Sequence, residues 1–266
     1  MEASLKISIC VNAATGRMGQ QIAHQINLSK ETELASALCR PAHPYHEKIV
    51  RGSSNIQYSS DSSSAISLAQ VVIDFSLPAV SLALLEKAVE LKTPVLIGTT
   101  GFNSQQLDLI TLASQQIPIL IAPNTSIGVN ATLSLLAQAA KMLGKDANIE
   151  IIEAHHKHKV DSPSGTALKM GEVICESIGS NLRETAVYNR TDSKAGRTDR
   201  EIGFSVVRAG SIIGEHKVMF ALENEIISIE HKAQSRQCFA EGAVKASTWL
   251  TDQENGLYSM QDFLAQ

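Results

Sequence analysis

LKISICVNAATGRMGQQIAHQI, residues 5–26, decides how this chain begins to fold. Its first eight residues form a short apolar run of strand type, and Met18, Ile22 and Ile26 then recur at helical spacing. Between them, Ala13-Ala14-Thr15-Gly16-Arg17-Met18-Gly19 makes a tight strand-to-helix turn, where backbone N–H groups at a helix N-terminus face a potential phosphate. The pattern is that of a dinucleotide-binding turn, with Ala13 standing where the first of three glycines usually lies. A second reading stays open from the residues alone: Gly16 and Gly19 serve only to let a capped helix pack closely on its strand.

Working outward, apolar runs at 33–39 (ELASALC), 70–76 (QVVIDFS), 93–98 (TPVLIG) and 117–123 (IPILIAP) read as strands covered on both faces. Helices lie between them. One starts at Pro78 with Val80, Leu84, Ala88 and Leu91 on one side, another near Ser104 with Leu107 and Ile110 inward. The serine-rich stretch 53–64 reads as a loop. Strands alternating with helices predict an α/β, Rossmann-type parallel sheet over residues 1–126.

The rhythm changes afterwards. A long helix spans 129–144, and strand candidates follow at 149–155 (IEIIEAH), 202–210, 212–222 and 225–233, the last three joined by short turns. This predicts a second, α+β domain over 127–235 with an open mixed or antiparallel sheet. The stretch 180–200, with Arg183, Arg190, Arg197 and Arg200, reads as a polar loop, and a last helix runs from about 238 to 250.

Composition narrows the class. The 266 residues are 44% hydrophobic and 19% charged, as in an ordinary globular protein, and the net charge of −4 leaves no footprint for nucleic acid. No apolar run reaches the roughly 18 residues of a membrane span, and the first dozen residues lack the layout of a secretory signal, so a cytoplasmic protein is expected. Cys10, Cys39, Cys175 and Cys238 are scattered, which predicts neither a disulfide nor a zinc site.

Two groups of residues carry chemistry. An acidic residue usually ends the second strand of a dinucleotide fold, where it binds ribose hydroxyls; here Cys39 is followed by Arg40, a guanidinium suited to a 2′-phosphate. The residues therefore favour NADPH at least as much as NADH, an ordinary surface arginine being the alternative. The turns GTTG (98–101) and APNTS (122–126) follow the fourth and fifth strands, where such folds bind ligands. The second group is EAHHKHKVDSPSGTA, residues 153–167. Histidine transfers protons near neutral pH, Lys159 supplies a cation, and Ser164-Gly165-Thr166 opens a helix whose amides can hold an acid substrate. Glu153, His155, His156 and His158 resemble metal ligands by composition. On a strand, however, Glu153 and His155 share a face while His156 points away, so no metal is expected.

In order along the chain, GRMG, DFS (74–76), GTTG, APNTSIGVN, EAHHKHKVDSPSGTA, RAGSIIGEHKVMF and HKAQSR resemble the 4-hydroxy-tetrahydrodipicolinate reductase (dihydrodipicolinate reductase) family over nearly the whole sequence. The resemblance implies that residues 236–266 complete the first domain, and that the open sheet of the second builds a homotetramer. It implies hydride transfer from NADPH and/or NADH to a small cyclic dicarboxylate in lysine and diaminopimelate synthesis, with loss of water. His155 is then the proton donor or acceptor and Lys159 a second donor, while His156, Gly165 and Thr166 bind substrate. Cofactor contacts fall on Ala13, Ala14, Thr15, Gly16, Arg17, Met18, Arg40, Gly98, Thr99, Thr100, Ala122, Pro123, Asn124 and Thr125. Ala13, Cys39 and Lys157 depart from the family's usual residues. Another Rossmann-type reductase of a small carboxylic acid and a non-enzymatic dinucleotide sensor are the competing readings, although a sensor has no need of the 155–159 cluster.

Overall fold

The computed structural model describes residues 6–191 and 196–266. The chain forms two compact units, Met1–Ile127 with Gln237–Gln266, and Gly128–Arg236. In the first, the elements are β1 (Ile7–Asn12), α1 (Arg17–Leu28), β2 (Thr32–Leu38), β3 (Tyr58–Ser59), α2 (Ser62–Ser67), β4 (Val71–Asp74), α3 (Pro78–Glu90), β5 (Val95–Ile97), α4 (Ser104–Ser114) and β6 (Pro118–Ile121). Beyond the second unit, with its α5 (Ile127–Leu143), β7 (Asn148–His155), α6 (Gly165–Ile178), α7 (Leu182–Thr185), β8 (Ala186–Val187), β9 (Ile202–Arg208), β10 (Glu215–Ala221) and β11 (Ile226–Lys232), the chain returns to the first through α8 (Gln237–Leu250), β12 (Gly256–Tyr258) and α9 (Met260–Leu264).

The first sheet runs β12-β6-β5-β4-β1-β2-β3, all parallel, and so carries the α/β Rossmann-type fold. Strand alternation sends Ile9, Val11, Ile73, Leu96 and Leu120 to one face and Cys10, Val72, Val95, Ile97 and Ile119 to the other. α1 and α8 seal the former with Ile22, Ile26, Ala243 and Leu250, while α2, α3 and α4 seal the latter with Ile66, Leu84, Leu85 and Ile110. Each fully buried aliphatic side chain contributes about 1.5–3 kcal/mol of transfer free energy. The order reverses at β1, with β2 on one side and β4 on the other, which places the ligand crevice of such folds at the carboxyl ends of β1 and β4.

Three details differ from the sequence expectations. Val80, Leu91 and Leu107 are exposed, because the buried stripe of α3 is Ser81, Leu84, Leu85 and Ala88, and α4 faces inward through Ile110 and Ser114. The stretch 53–64 is more than a loop: Tyr58 and Ser59 pair with Ala37 and Leu38, and Asp61 caps α2 by accepting from the Ser64 N–H. β12 and α9 had no periodic signal, since three strand residues are too few to show one. β12 extends the sheet beside β6.

The second sheet runs β11-β10-β7-β9-β8 and is mixed: β7, β9 and β8 are parallel, whereas β10 is antiparallel to β7 and β11. Ile149, Ile151, Phe204, Val218 and Phe220 pack against Leu136 and Ala140 of α5 and Met170 and Ile174 of α6. The same face turns polar toward the end of β7, where Glu153 and His155 follow Ile149 and Ile151 at the two-residue period. The stretch 212–214 does not join β10, which begins at Glu215. A Cβ on Gly214 would lie 3.1 Å from His155 Nε2. In the polar stretch 180–200, Arg190 and Arg197 pair with Glu150, α7 and β8 occupy 182–187, and residues 192–195 lie outside the described residues.

Candidate active site

In the first unit, Ala13 takes the left-handed conformation at φ 50°, which explains why glycine is the usual occupant of this turn. The Gly16 N–H donates to the Ala13 carbonyl at 2.9 Å and closes the turn. Gly16 is the N-cap of α1 and supplies no side-chain acceptor, so the first helical amides are not capped by it. Gly19 admits no side chain: a Cβ would meet the Ala13 carbonyl oxygen at 2.4 Å and the Ala14 Cα at 2.6 Å. Helix and turn therefore touch backbone to backbone, the close packing that the third glycine of such a turn permits.

The parallel sheet brings residues 13–18, Arg40, 98–100 and 122–125 to the carboxyl ends of β1, β2, β5 and β6. Arg17, Arg40, Thr100 and Pro123 are exposed there, and Ala14 and Ala122 are buried. Thr99 and Thr125 turn their hydroxyls inward. Thr99 donates to Asp74 Oδ2 at 2.9 Å and accepts from the Ser76 N–H, and Thr125 donates to the Phe239 carbonyl at 2.7 Å. Asn124 Oδ1 accepts from the Ser126 N–H. Asp74, quoted in the sequence within the DFS stretch but given no role, is fully buried and also accepts from Asn12 Nδ2 at 2.6 Å, tying together the loops after β1, β4 and β5.

In the second unit, the carboxylate of Glu153 is 1% exposed and fully engaged. One oxygen accepts from the Ser164 N–H at 3.0 Å and from Arg208 Nη2 at 2.8 Å; the other accepts from Arg208 Nη1 at 2.8 Å and lies 2.6 Å from His155 Nδ1. Burial works against the ionised carboxylate, but Arg208, His155 and the Ser164 N–H outweigh it and hold Glu153 below the usual range. With Nδ1 committed to Glu153, Nε2 is the nitrogen of His155 left for chemistry.

His216 stacks edge-on against His155 at 5.2 Å, and its Nε2 lies 3.0 Å from Ser164 Oγ. That hydroxyl is the side-chain cap of α6 and accepts from the Ala167 N–H. Gly165 opens the helix in an exposed position where a Cβ would meet nothing within 4 Å, and Thr166 follows half-buried. Lys159 is held by Asp161 at 2.8 Å, and the Asp161 carbonyl accepts from Arg208 Nη2, so the 156–161 turn is anchored to the same guanidinium. His156, just beyond β7, is half-buried, with its ring 6.4 Å from that of His158. Burial first, then Arg236, His155, His158 and Lys159, favour its neutral form. The structure thus brings Glu153, His155, Ser164, Arg208 and His216 together, of which Arg208 and His216 stood in the RAGSIIGEHKVMF stretch of the sequence without a role assigned to them. Glu153 has no coordination site left for the metal role considered above.

Burial, then the charge of His155, pushes the His216 imidazolium down to about 4, with Glu153 opposing and His231 and Lys159 adding smaller contributions. The unfolded chain, with an ordinary value of 6.5, therefore takes up this proton first as pH falls. Stability that is full above pH 6.5 is lost progressively as pH falls to about 4, on the order of 3 kcal/mol in all. Urea midpoints measured across that window should slope more steeply for wild type than for His216→Asn; parallel slopes would show that His216 takes its proton equally well when folded.

A parallel sheet that reverses at β1, followed by a glycine turn without a side-chain cap, is the architecture of a dinucleotide-binding, Rossmann-type protein. The family patterns for the N-terminus and C-terminus of dihydrodipicolinate reductase match residues 7–125 and 128–264. The chain belongs to the dihydrodipicolinate reductase family. It is 43% identical over 262 residues to the 4-hydroxy-tetrahydrodipicolinate reductase of Nitrosospira multiformis, covering 97% of both chains. Over 259 residues it is 44% identical to that of Methylococcus capsulatus, covering 96% of both. Among solved structures, a dipicolinate-bound dihydrodipicolinate reductase from Paenisporosarcina sp. TG-14 shares the fold with a TM-score of 0.78 at 23% identity, over 96% of this chain and 98% of that one.

Proposed function

We propose that the chain reduces 4-hydroxy-tetrahydrodipicolinate to tetrahydrodipicolinate at the expense of NADPH or NADH, in lysine and diaminopimelate synthesis. The net change is one hydride and one proton gained and one water lost. What carries this reading in the chain itself is the His155 imidazole, with Nδ1 engaged by buried Glu153 and Nε2 left for proton transfer.

The first unit fits a dinucleotide: Gly16 leaves the start of α1 without a side-chain cap, Gly19 lets the turn close on it, and Arg17 and Arg40 are exposed cations. Ala13, Ala14, Thr15, Met18, Gly98, Thr100, Ala122, Pro123 and Asn124 surround it, while Thr99 and Thr125 contribute backbone, their hydroxyls being engaged within the protein. When bound, the cofactor supplies the hydride. His155 delivers or accepts the proton at Nε2, and Lys159 exchanges Asp161 for a substrate carboxylate and serves as a second donor. Gly165 and Thr166 offer the first turn of α6 to the other carboxylate, and His156 completes the grip. The activity is tested by following NADPH and NADH absorbance with freshly generated substrate; no substrate-dependent oxidation of either cofactor rejects it. In Arg40→Ala the NADPH Kd should rise about tenfold, the scale of one lost charged hydrogen bond, with NADH unchanged. Equal NADPH affinity in both proteins would remove Arg40 from the site.

The second unit's outer sheet face carries Ile152, Val207, Met219 and Ile226, with Val207 43% and Ile226 60% exposed. We assign this face to a homotetramer. Light scattering should give four times the chain mass, and a monomer mass would refute the assignment. Among the described residues no helix is long and apolar enough to cross a membrane. The supply of reduced nicotinamide and the four free thiols fit a cytoplasmic setting.

A further inference from the structure

Each oxygen of Glu153 takes two donors, and the four donors differ in one respect. The Ser164 amide and the two Arg208 nitrogens can only donate, whereas His155 Nδ1 donates or accepts according to its tautomer. The carboxylate is thus the one group that can serve Arg208 and the α6 cap while also requiring a proton on Nδ1. Through Ser164 it fixes the helix N-terminus at the same time, since the Ser164 side chain caps α6 and touches His216. From this geometry we infer that Glu153 is a positioning residue for the reaction: it sets the His155 tautomer, stabilises the imidazolium that forms during proton transfer, and aligns the donor with the opening of α6. The inference rests on the proton-transfer role of His155 proposed above.

An amide at position 153 has one acceptor and one donor. Turned toward Ser164 and Arg208 Nη2, its NH2 would face only donors; turned the other way it meets one donor, Arg208 Nη1, and His155, the one partner able to become an acceptor. Glu153→Gln should therefore move the neutral proton of His155 from Nδ1 to Nε2, with the fold retained through Ser164 and one arm of Arg208.

Two measurements separate this role from general stabilisation. Nitrogen-15 NMR of the imidazoles should show His155 protonated at Nδ1 in the wild type and at Nε2 in Glu153→Gln. Steady-state kinetics should show kcat lower by about 10- to 100-fold in Glu153→Gln, with KM within about threefold. In a His155→Ala background the same substitution should lower kcat no further, because a residue acting through His155 has nothing left to act on. A wild-type His155 protonated at Nε2 overturns the inference without any variant having to fold. So does a Glu153→Gln protein with wild-type kcat, or one whose loss persists unchanged in the His155→Ala background. If His155→Ala alone leaves turnover intact, the reading of His155 fails instead.

Discussion

Removing the imidazole of residue 155 should lower kcat by about 10²–10⁴-fold, the range of a lost general acid or base, while the fold survives. His155 is 9% exposed, and its loss leaves Glu153 still bound to Arg208 and to the Ser164 N–H. The cost to stability should therefore stay within about 1–3 kcal/mol, the scale of one removed hydrogen-bond partner. Initial rates of NADPH oxidation for wild type, His155→Ala and Lys159→Ala check it. Lys159→Ala should lower both kcat and kcat/KM, since its ammonium is asked both to hold a carboxylate and to donate. Wild-type turnover in both variants would dissolve the proton-transfer assignment.

Arg208→Leu should destabilise the second unit by about 3–5 kcal/mol at neutral pH, because it strands a buried carboxylate without its charge partner. The guanidinium is also the anchor of the 156–161 turn through the Asp161 carbonyl, so Lys159 should lose its place in the same variant. Urea unfolding at pH 7 measures the loss. The double variant Arg208→Leu/Glu153→Leu should recover much of it, since no charge then remains buried. A loss in Arg208→Leu below about 1 kcal/mol would mean that water reaches Glu153 and stands in for the arginine. The wild-type pair should itself weaken as pH falls below about 4.5, the ordinary carboxylate value, because the folded state holds the Glu153 carboxyl lower than that.

Much of the fold was legible because it depends on local repetition. Continuous apolar runs such as Val71-Val72-Ile73 announced strands buried on both faces, and the succession of strand candidates after residue 149 announced an open mixed or antiparallel sheet. The site was half legible. The concentration of His155, His156 and Lys159 beside Ser164-Gly165-Thr166 was visible, as was the shared face of Glu153 and His155. Arg208 was not, being one cation at the end of a strand that reads as ordinary. His216 looked like any residue of an alternating strand, and nothing near it names Ser164 as its neighbour.

By itself, the order of residues determined the longer strands and helices, that the first half is a parallel nucleotide-binding sheet, and where proton-transferring side chains are concentrated. Those properties follow from periodicity, turn residues and capping, which act over a few positions. Tertiary structure alone decided which distant groups meet: Asn12 with Asp74 across 62 positions, Glu153 with Arg208 across 55, Ser164 with His216 across 52, and Thr125 with Phe239 across 114. Such meetings are set by strand order and register, and these are chosen by the burial of whole faces at once. No local pattern records that choice, although the position of the proton on His155 depends on it.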